Sequence, residues 1–103
     1  MQEFRRLIET VTERLEKLPI GHYLDVRTYK RNRSVLIVKM SEDDLLIIED
    51  GFFKERFYIK TEKLKKLLAA LLRKEFLRSH KIRVYVMGKF TEEEAENTRR
   101  KIL

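Results

Sequence analysis

Three stretches of the chain share one alternation, in which cations and tyrosines occupy one parity and aliphatic residues or phenylalanines mostly occupy the other. The first carries Tyr23, Arg27, Tyr29 and Arg31, the second carries Lys54, Arg56, Tyr58 and Lys60, and the third carries Lys81, Arg83 and Tyr85. Successive side chains of a β-strand point to opposite faces, so each stretch predicts a strand with one apolar and one cationic face. We expect these three strands to be neighbours that form one continuous electropositive surface.

A helix is predicted before the first of these strands. Apolar residues between Phe4 and Leu18 recur at three- and four-residue spacing and line one helical face. Pro19 ends this helix, because a proline disfavours helical geometry at the residue before it. Gly21 then permits a sharp change of direction into the first strand.

A four-stranded meander and a second helix follow. The strands are predicted over residues 22–29, 35–40, 45–48 and 52–60. The unbroken apolar run at 45–48 is typical of a strand that is covered on both faces. Asp50 and Gly51 indicate a hairpin, because glycine accepts the positive φ of such turns. The second helix is predicted to begin with Thr61 as its N-cap and to pack a broad apolar stripe against the sheet.

The remaining residues predict a fifth strand and a third helix. The strand covers 81–87, and Gly88 ends it. Thr91 and Glu94 have the spacing of a capping box at the start of a helix whose apolar stripe is thin. Together the elements predict an α+β two-layer sandwich in the order α-β-β-β-β-α-β-α. We expect one domain over residues 1–103, with the first two helices on one face of a mainly antiparallel five-stranded sheet.

The charge balance restricts the class of partner. The net charge is +7 and the isoelectric point is about 9.8, which favours attraction to nucleic acid or to anionic lipid. No apolar run resembles a signal peptide or reaches the roughly 18 residues of a membrane span, so we expect a cytoplasmic protein without membrane contact. The abundance of Lys, Arg and Glu, with no Cys, resembles the composition of proteins from hot environments.

No catalytic signature accompanies this charge. The sequence has no cysteine, no glycine-rich phosphate loop and no Ser/His/Asp arrangement, and His22 and His80 are far apart. The carboxylates at 42–44 and at Glu49 and Asp50 lack the spacing of a calcium loop, and we interpret them as turn residues. We therefore expect no enzyme, no metal and no cofactor.

The alternation of cations and tyrosines has two interpretations. Binders of single-stranded nucleic acid pair cations that track phosphates with aromatic planes on which bases stack. An exposed sheet face in a charge-rich protein carries the same residue types simply because tyrosine is a good strand former and long cations shield apolar surface. Under the first interpretation the protein is a small, basic, non-catalytic binder of single-stranded or structured nucleic acid. Its candidate contact residues are Arg27, Tyr29, Arg31, Lys54, Arg56, Tyr58, Arg83 and Tyr85.

A protein-interaction or homo-oligomeric assembly module is the alternative function. Strands 2 and 3 carry more apolar surface than one helix layer covers, and Phe52 and Phe53 lie at a predicted hairpin tip. Either a second subunit or the third helix would cover that surface. The alternative predicts a dimer or another protein partner in place of nucleic acid.

The element order from His22 to Ser79, four strands followed by a helix, resembles the core of the Whirly-type single-stranded DNA binders. In that family a curved sheet contacts the strand, so the resemblance implies that the sheet is the binding surface of this chain. The likeness is one of element order over about half the chain, and it assigns no individual residues.

Overall fold

The computed structural model of the chain describes residues 2–28, 33–51, 54–76 and 82–91, which include two helices and five strands. The helices are α1 (Gln2–Lys17) and α2 (Leu64–Phe76), and a single 3₁₀ turn (Thr61–Lys63) precedes α2. The strands are β1 (His22–Thr28), β2 (Ser34–Lys39), β3 (Asp44–Asp50), β4 (Lys54–Lys60) and β5 (Ile82–Lys89). The predicted α+β order is confirmed as far as β5, and the predicted third helix lies outside the described residues.

The five strands form one antiparallel sheet in the order β4-β3-β2-β1-β5. The first four strands form a meander, and α2 carries the chain from β4 at one edge to β5 at the other. β1 therefore pairs with β5, but β2 and β3 separate β1 from β4. The expectation that the three cationic strands are neighbours is wrong, because short hairpin connections place consecutive strands side by side whatever side chains they carry.

Both helices pack on the same face of the sheet, as predicted. The helix-side core consists of Phe4, Val11, Leu15, Leu18, Leu24, Val26, Val35, Ile37, Leu45, Ile47, Leu64, Leu68, Leu71, Leu72 and Phe76, each at most 5% exposed. α2 supplies more of these side chains than any other element. Burying one such aliphatic side chain contributes about 1.5–3 kcal/mol, so α2 is the main packing element of this face.

A tight turn joins α1 to β1. Gly21 adopts a φ of +92°, in the left-handed region that glycine enters without steric cost. Its amide donates to the Lys39 carbonyl at 2.7 Å, and the His22 amide donates to the Pro19 carbonyl at 3.1 Å. Lys39 is 8% exposed, and its ammonium donates to the Leu15 carbonyl at 2.9 Å, near the negative end of the α1 dipole. These hydrogen bonds therefore connect the C-terminal end of α1 to β2.

The turn at Gly21 provides a test of its backbone geometry. We expect Gly21→Ala to lower the free energy of unfolding by about 1–2 kcal/mol, because an L-residue is strained in the left-handed region. The added methyl group would meet no atom within 4 Å, so steric contact is not the cause.

Gly88→Ala is the matched control. Its added methyl group also meets nothing within 4 Å, and its φ lies outside the left-handed region. We expect this variant to be neutral or slightly stabilising, because glycine weakens a strand. Urea unfolding of both variants measures the difference, and equal effects at the two positions would contradict the strain argument.

Two predicted element boundaries are corrected. Thr61 is not a side-chain N-cap of α2, because it begins the 3₁₀ turn and its hydroxyl donates to the Glu42 carbonyl at 3.3 Å. Gly88 does not end β5, which continues past it. The strand stays paired there because the register between β1 and β5 shifts between His22 and Leu24, as in a β-bulge.

Candidate nucleic-acid interface

Of the predicted cationic and tyrosine positions, those that the structure describes share the face of the sheet opposite the helices, here called the second face. Cross-strand pairs define three rows over this face. From the β5 side to the β4 side, the rows are Arg83, Arg27, Ser34, Asp50 and Lys54; Tyr85, Asp25, Leu36, Ile48 and Arg56; and Tyr23, Val38, Leu46 and Tyr58. The alternation therefore predicted which of these residues share a face, although acidic and apolar residues lie between them.

Four exposed side chains on β4 form the first cationic group, here called the β4 tract. The tract consists of Lys54, Arg56, Tyr58 and Lys60, all of them exposed, with Tyr58 70% exposed. β4 is an edge strand, and along it Arg56 and Lys60 each lie about 6.7 Å from Tyr58. The tract thus presents one solvent-facing aromatic ring between two cationic positions.

Carboxylates on β3 face both ends of the β4 tract. Lys54 pairs across the strands with Asp50, and the Lys60 ammonium donates to Asp44 Oδ1 at 2.7 Å. The Lys60 ammonium and, next, the Ser41 hydroxyl lower the pKa of Asp44, and Asp44 in turn raises the pKa of Lys60. Both partners are therefore charged at neutral pH, and Asp44 offsets part of the Lys60 charge.

The opposite edge of the second face carries a smaller exposed pair, Arg83 and Tyr85, here called the β5 tract. Tyr85 is 39% exposed. Four inter-strand spacings, about 19 Å, separate β5 from β4. The expectation of one continuous electropositive surface is therefore wrong, because the second face has two cationic edges with other residues between them.

An apolar group, here called the second-face cluster, occupies the centre of this face. It consists of Tyr23, Leu36, Val38 and Leu46, with the half-buried Ile48, Met87 and Phe90 packed against them. Tyr23 is 2% exposed, and its ring meets the Phe90 ring edge-on, with centroids 5.4 Å apart and an interplanar angle of 83°. The expectation that Tyr23 lies on the solvent side is wrong, and no base can stack on its ring in this arrangement.

Arg27 is not exposed to a ligand either. Its side chain forms an ion pair with Asp25, and the two residues are 8% and 1% exposed. Within the described residues, Asp25 Oδ1 and Arg27 Nε make no hydrogen bond. Burial raises the pKa of Asp25 above its usual value, although Arg27 opposes this shift. The expectation of a solvent-exposed Arg27 is wrong, because it folds onto Asp25 two positions away on the same strand face.

The acidic residues lie in a turn and in the core. The Ser41 hydroxyl donates to Asp44 Oδ2 at 2.9 Å and accepts the Asp44 amide at 3.1 Å, which is the predicted turn chemistry. Glu49, by contrast, lies on the helix side at 1% exposure, with Lys74 Nζ 3.2 Å from its Oε2. Its parity with the buried Ile47 is the signal that could have placed it there. Among the residues that the structure describes, no three His, Cys, Asp or Glu side chains form a metal-binding group.

Five of the eight candidate contact residues are therefore exposed at the edges of the second face. They are Lys54, Arg56, Tyr58, Arg83 and Tyr85. Tyr29 and Arg31 lie outside the described residues, as does Lys81. In the described part of the chain, no helix is long and apolar enough to cross a lipid bilayer. The chain matches no protein-family model, and it shows no significant similarity to a curated protein or to a solved structure.

Proposed function

We propose that this protein is a cytoplasmic, non-catalytic binder of single-stranded or structured nucleic acid, and that the β4 tract is its main contact surface. The observation that carries the proposal is the position of Tyr58, which is 70% exposed on an edge strand between Arg56 and Lys60. The β5 tract is the second contact. Tyr29 and Arg31 stay in the proposal as candidates from the sequence alone.

The chemistry of the β4 tract suits an extended polyanion. A base stacked on an aromatic side chain contributes about 1–3 kcal/mol, and any base can do so because every base has a π-face. Cations on either side of such a ring attract the phosphates that flank the stacked base. The net charge of +7 adds a longer-range attraction that salt screens.

The alternative of an assembly module has less support. That alternative uses the apolar side chains of β2 and β3 as its contact surface, together with Phe52 and Phe53, which lie outside the described residues. Every residue of β2 is buried, and Leu45, Leu46 and Ile47 of β3 are also buried. These side chains therefore do not form an exposed apolar patch of the kind that marks an interaction site.

Fluorescence anisotropy with short labelled oligonucleotides tests the proposal. We expect the protein to bind a single strand with a Kd below about 100 μM at low salt, and the affinity to fall steeply as salt rises, because bound cations displace counterions. Tyr58→Ala should weaken binding roughly 5- to 150-fold, which corresponds to the loss of one stacked base. Tyr58→Phe should bind nearly as well as the natural protein, because it keeps the ring.

Charge reversal on two different elements distinguishes a localised binding site from a general effect of the net charge. Arg56→Glu removes a cation from the β4 tract, and Lys65→Glu makes the same charge change at an exposed position on α2, which packs on the other face. We expect Arg56→Glu to weaken binding and to reduce the salt dependence, and Lys65→Glu to do neither to a comparable degree. Equal losses in both variants would show that no localised site exists, and no binding at low salt would overturn the proposal.

A further inference from the structure

The second-face cluster is buried although neither described helix lies over it. α1 and α2 pack on the other face, yet Leu36, Val38 and Leu46 are only 7%, 3% and 4% exposed, and Asp25 is 1% exposed. Side chains stand roughly perpendicular to a sheet, so neighbours on the same face shield their flanks and leave their ends open to solvent. Burial this deep at the centre of a face requires a further layer above it.

The chain itself leads onto this face beyond β5. Phe90 follows β5, its ring packs against Tyr23, and its amide donates to the Gly21 carbonyl at 2.8 Å. Residues 92–103 come next. Every other internal stretch outside the described residues is at most five residues long and connects two elements, which is too short to lie across five strands.

We infer that residues 92–103 of the same chain cover the second-face cluster. The capping box at the start of this segment predicts a helix, and a helix of twelve residues is about 18 Å long. That length is close to the roughly 19 Å between the outer strands of the sheet. Ala95 and Ile102, seven residues apart, fall on the same face of such a helix, and with Leu103 they form its thin apolar stripe.

Charge complementarity supports the same occupant for the first half of the segment. Four of the first five residues of the segment 92–103 are glutamates, and β5, after which the segment begins, carries the exposed cations Arg83 and Lys89, whereas Arg99, Arg100 and Lys101 come later in the segment. A segment that starts at this edge brings its glutamates towards the cations of β5. This cover excludes nucleic acid from the centre of the second face, so that only the exposed edges are available for binding. That consequence rests on the proposed function, whereas the cover itself does not.

Photocrosslinking in the 103-residue chain tests the cover. A benzophenone amino acid in place of Ile102 is expected to give an intramolecular crosslink to peptides that contain β1, β2 or β3. The yield should be independent of protein concentration, because no second chain is involved. Crosslinks to α1 or α2, or a product of twice the chain mass, would overturn the inference, and the latter would identify a second copy as the occupant.

Thiol reactivity provides a second measurement, since the chain contains no cysteine and gives no background. The thiol of a Val38→Cys variant should react at least about tenfold more slowly than that of Val86→Cys, because a covered thiol must wait for a local opening. Val86 lies on β5, on the helix side of the sheet, and is 60% exposed, so it serves as the exposed reference. Equal reaction rates would overturn the inference, whether or not the protein binds oligonucleotides.

Discussion

Replacing Leu68 with aspartate is expected to unfold the protein. Leu68 lies in α2, is 1% exposed and belongs to the helix-side core. Truncating a buried leucine typically costs about 2–5 kcal/mol, and an unpaired carboxylate in an apolar core costs several kcal/mol more. The sum is comparable to the entire stability of a small domain, about 5–15 kcal/mol.

Circular dichroism during heating measures this outcome. Ala70→Asp is the matched control, because it places the same charge on the exposed side of α2. The control should lower the free energy of unfolding by about 1 kcal/mol or less, the size of the difference in helix propensity. A Leu68→Asp variant with the native Tm would show that α2 does not pack through this side chain.

Removing Arg27 is expected to produce the second-largest loss of stability. Arg27 is 8% exposed and forms an ion pair with Asp25, which is 1% exposed. Breaking a buried pair by deleting one partner typically costs about 3–5 kcal/mol, because the other charge remains buried without compensation. We therefore expect Arg27→Met to lower the free energy of unfolding by about 3–5 kcal/mol at neutral pH.

The same variant has a defined pH dependence. The pKa of Asp25 is already raised by burial, and Arg27 opposes that shift, so removing Arg27 should raise this pKa further. A carboxyl with a raised folded-state pKa contributes stability that is fully present below its unfolded pKa and is lost as pH rises through the folded value. The deficit of Arg27→Met should therefore be largest at neutral pH and should shrink as the solution becomes acidic.

Two controls accompany this measurement. Arg83→Met makes the same change at the cross-strand neighbour of Arg27, where the side chain is exposed, and we expect a far smaller loss. Adding Asp25→Leu to Arg27→Met removes the uncompensated charge and should recover much of the loss. Urea unfolding between acidic and neutral pH checks all three variants, and a deficit that grows towards acidic pH would contradict the argument.

Local periodicity accounts for what the sequence predicted well. The spacing of apolar residues predicted which face of α1 packs against the sheet. The alternation predicted that one side of the sheet carries Lys54, Arg56, Tyr58, Arg83 and Tyr85. The unbroken apolar run in β3 indicated burial on both faces, which the structure confirms. These features depend only on residues close together in the chain, because helix and strand periods are local properties.

What the sequence did not predict depends on contacts between distant residues. The separation of β1 from β4 follows from the path of the chain through the meander and α2, which no local pattern encodes. Tyr23 and Arg27 follow the same alternation as the exposed residues, yet they lie on an interior strand and are buried. An edge strand and a central strand can therefore carry the same pattern and differ entirely in exposure.

The bond from Lys39 to the last turn of α1 has a consequence for how the protein opens. A helix end usually frays at little cost, but here fraying would leave the largely buried Lys39 ammonium without its acceptor, the Leu15 carbonyl. The amides of this turn should thus exchange with deuterium only when the central strands also separate. The final turn of α1 and β2 then belong to one cooperative unit.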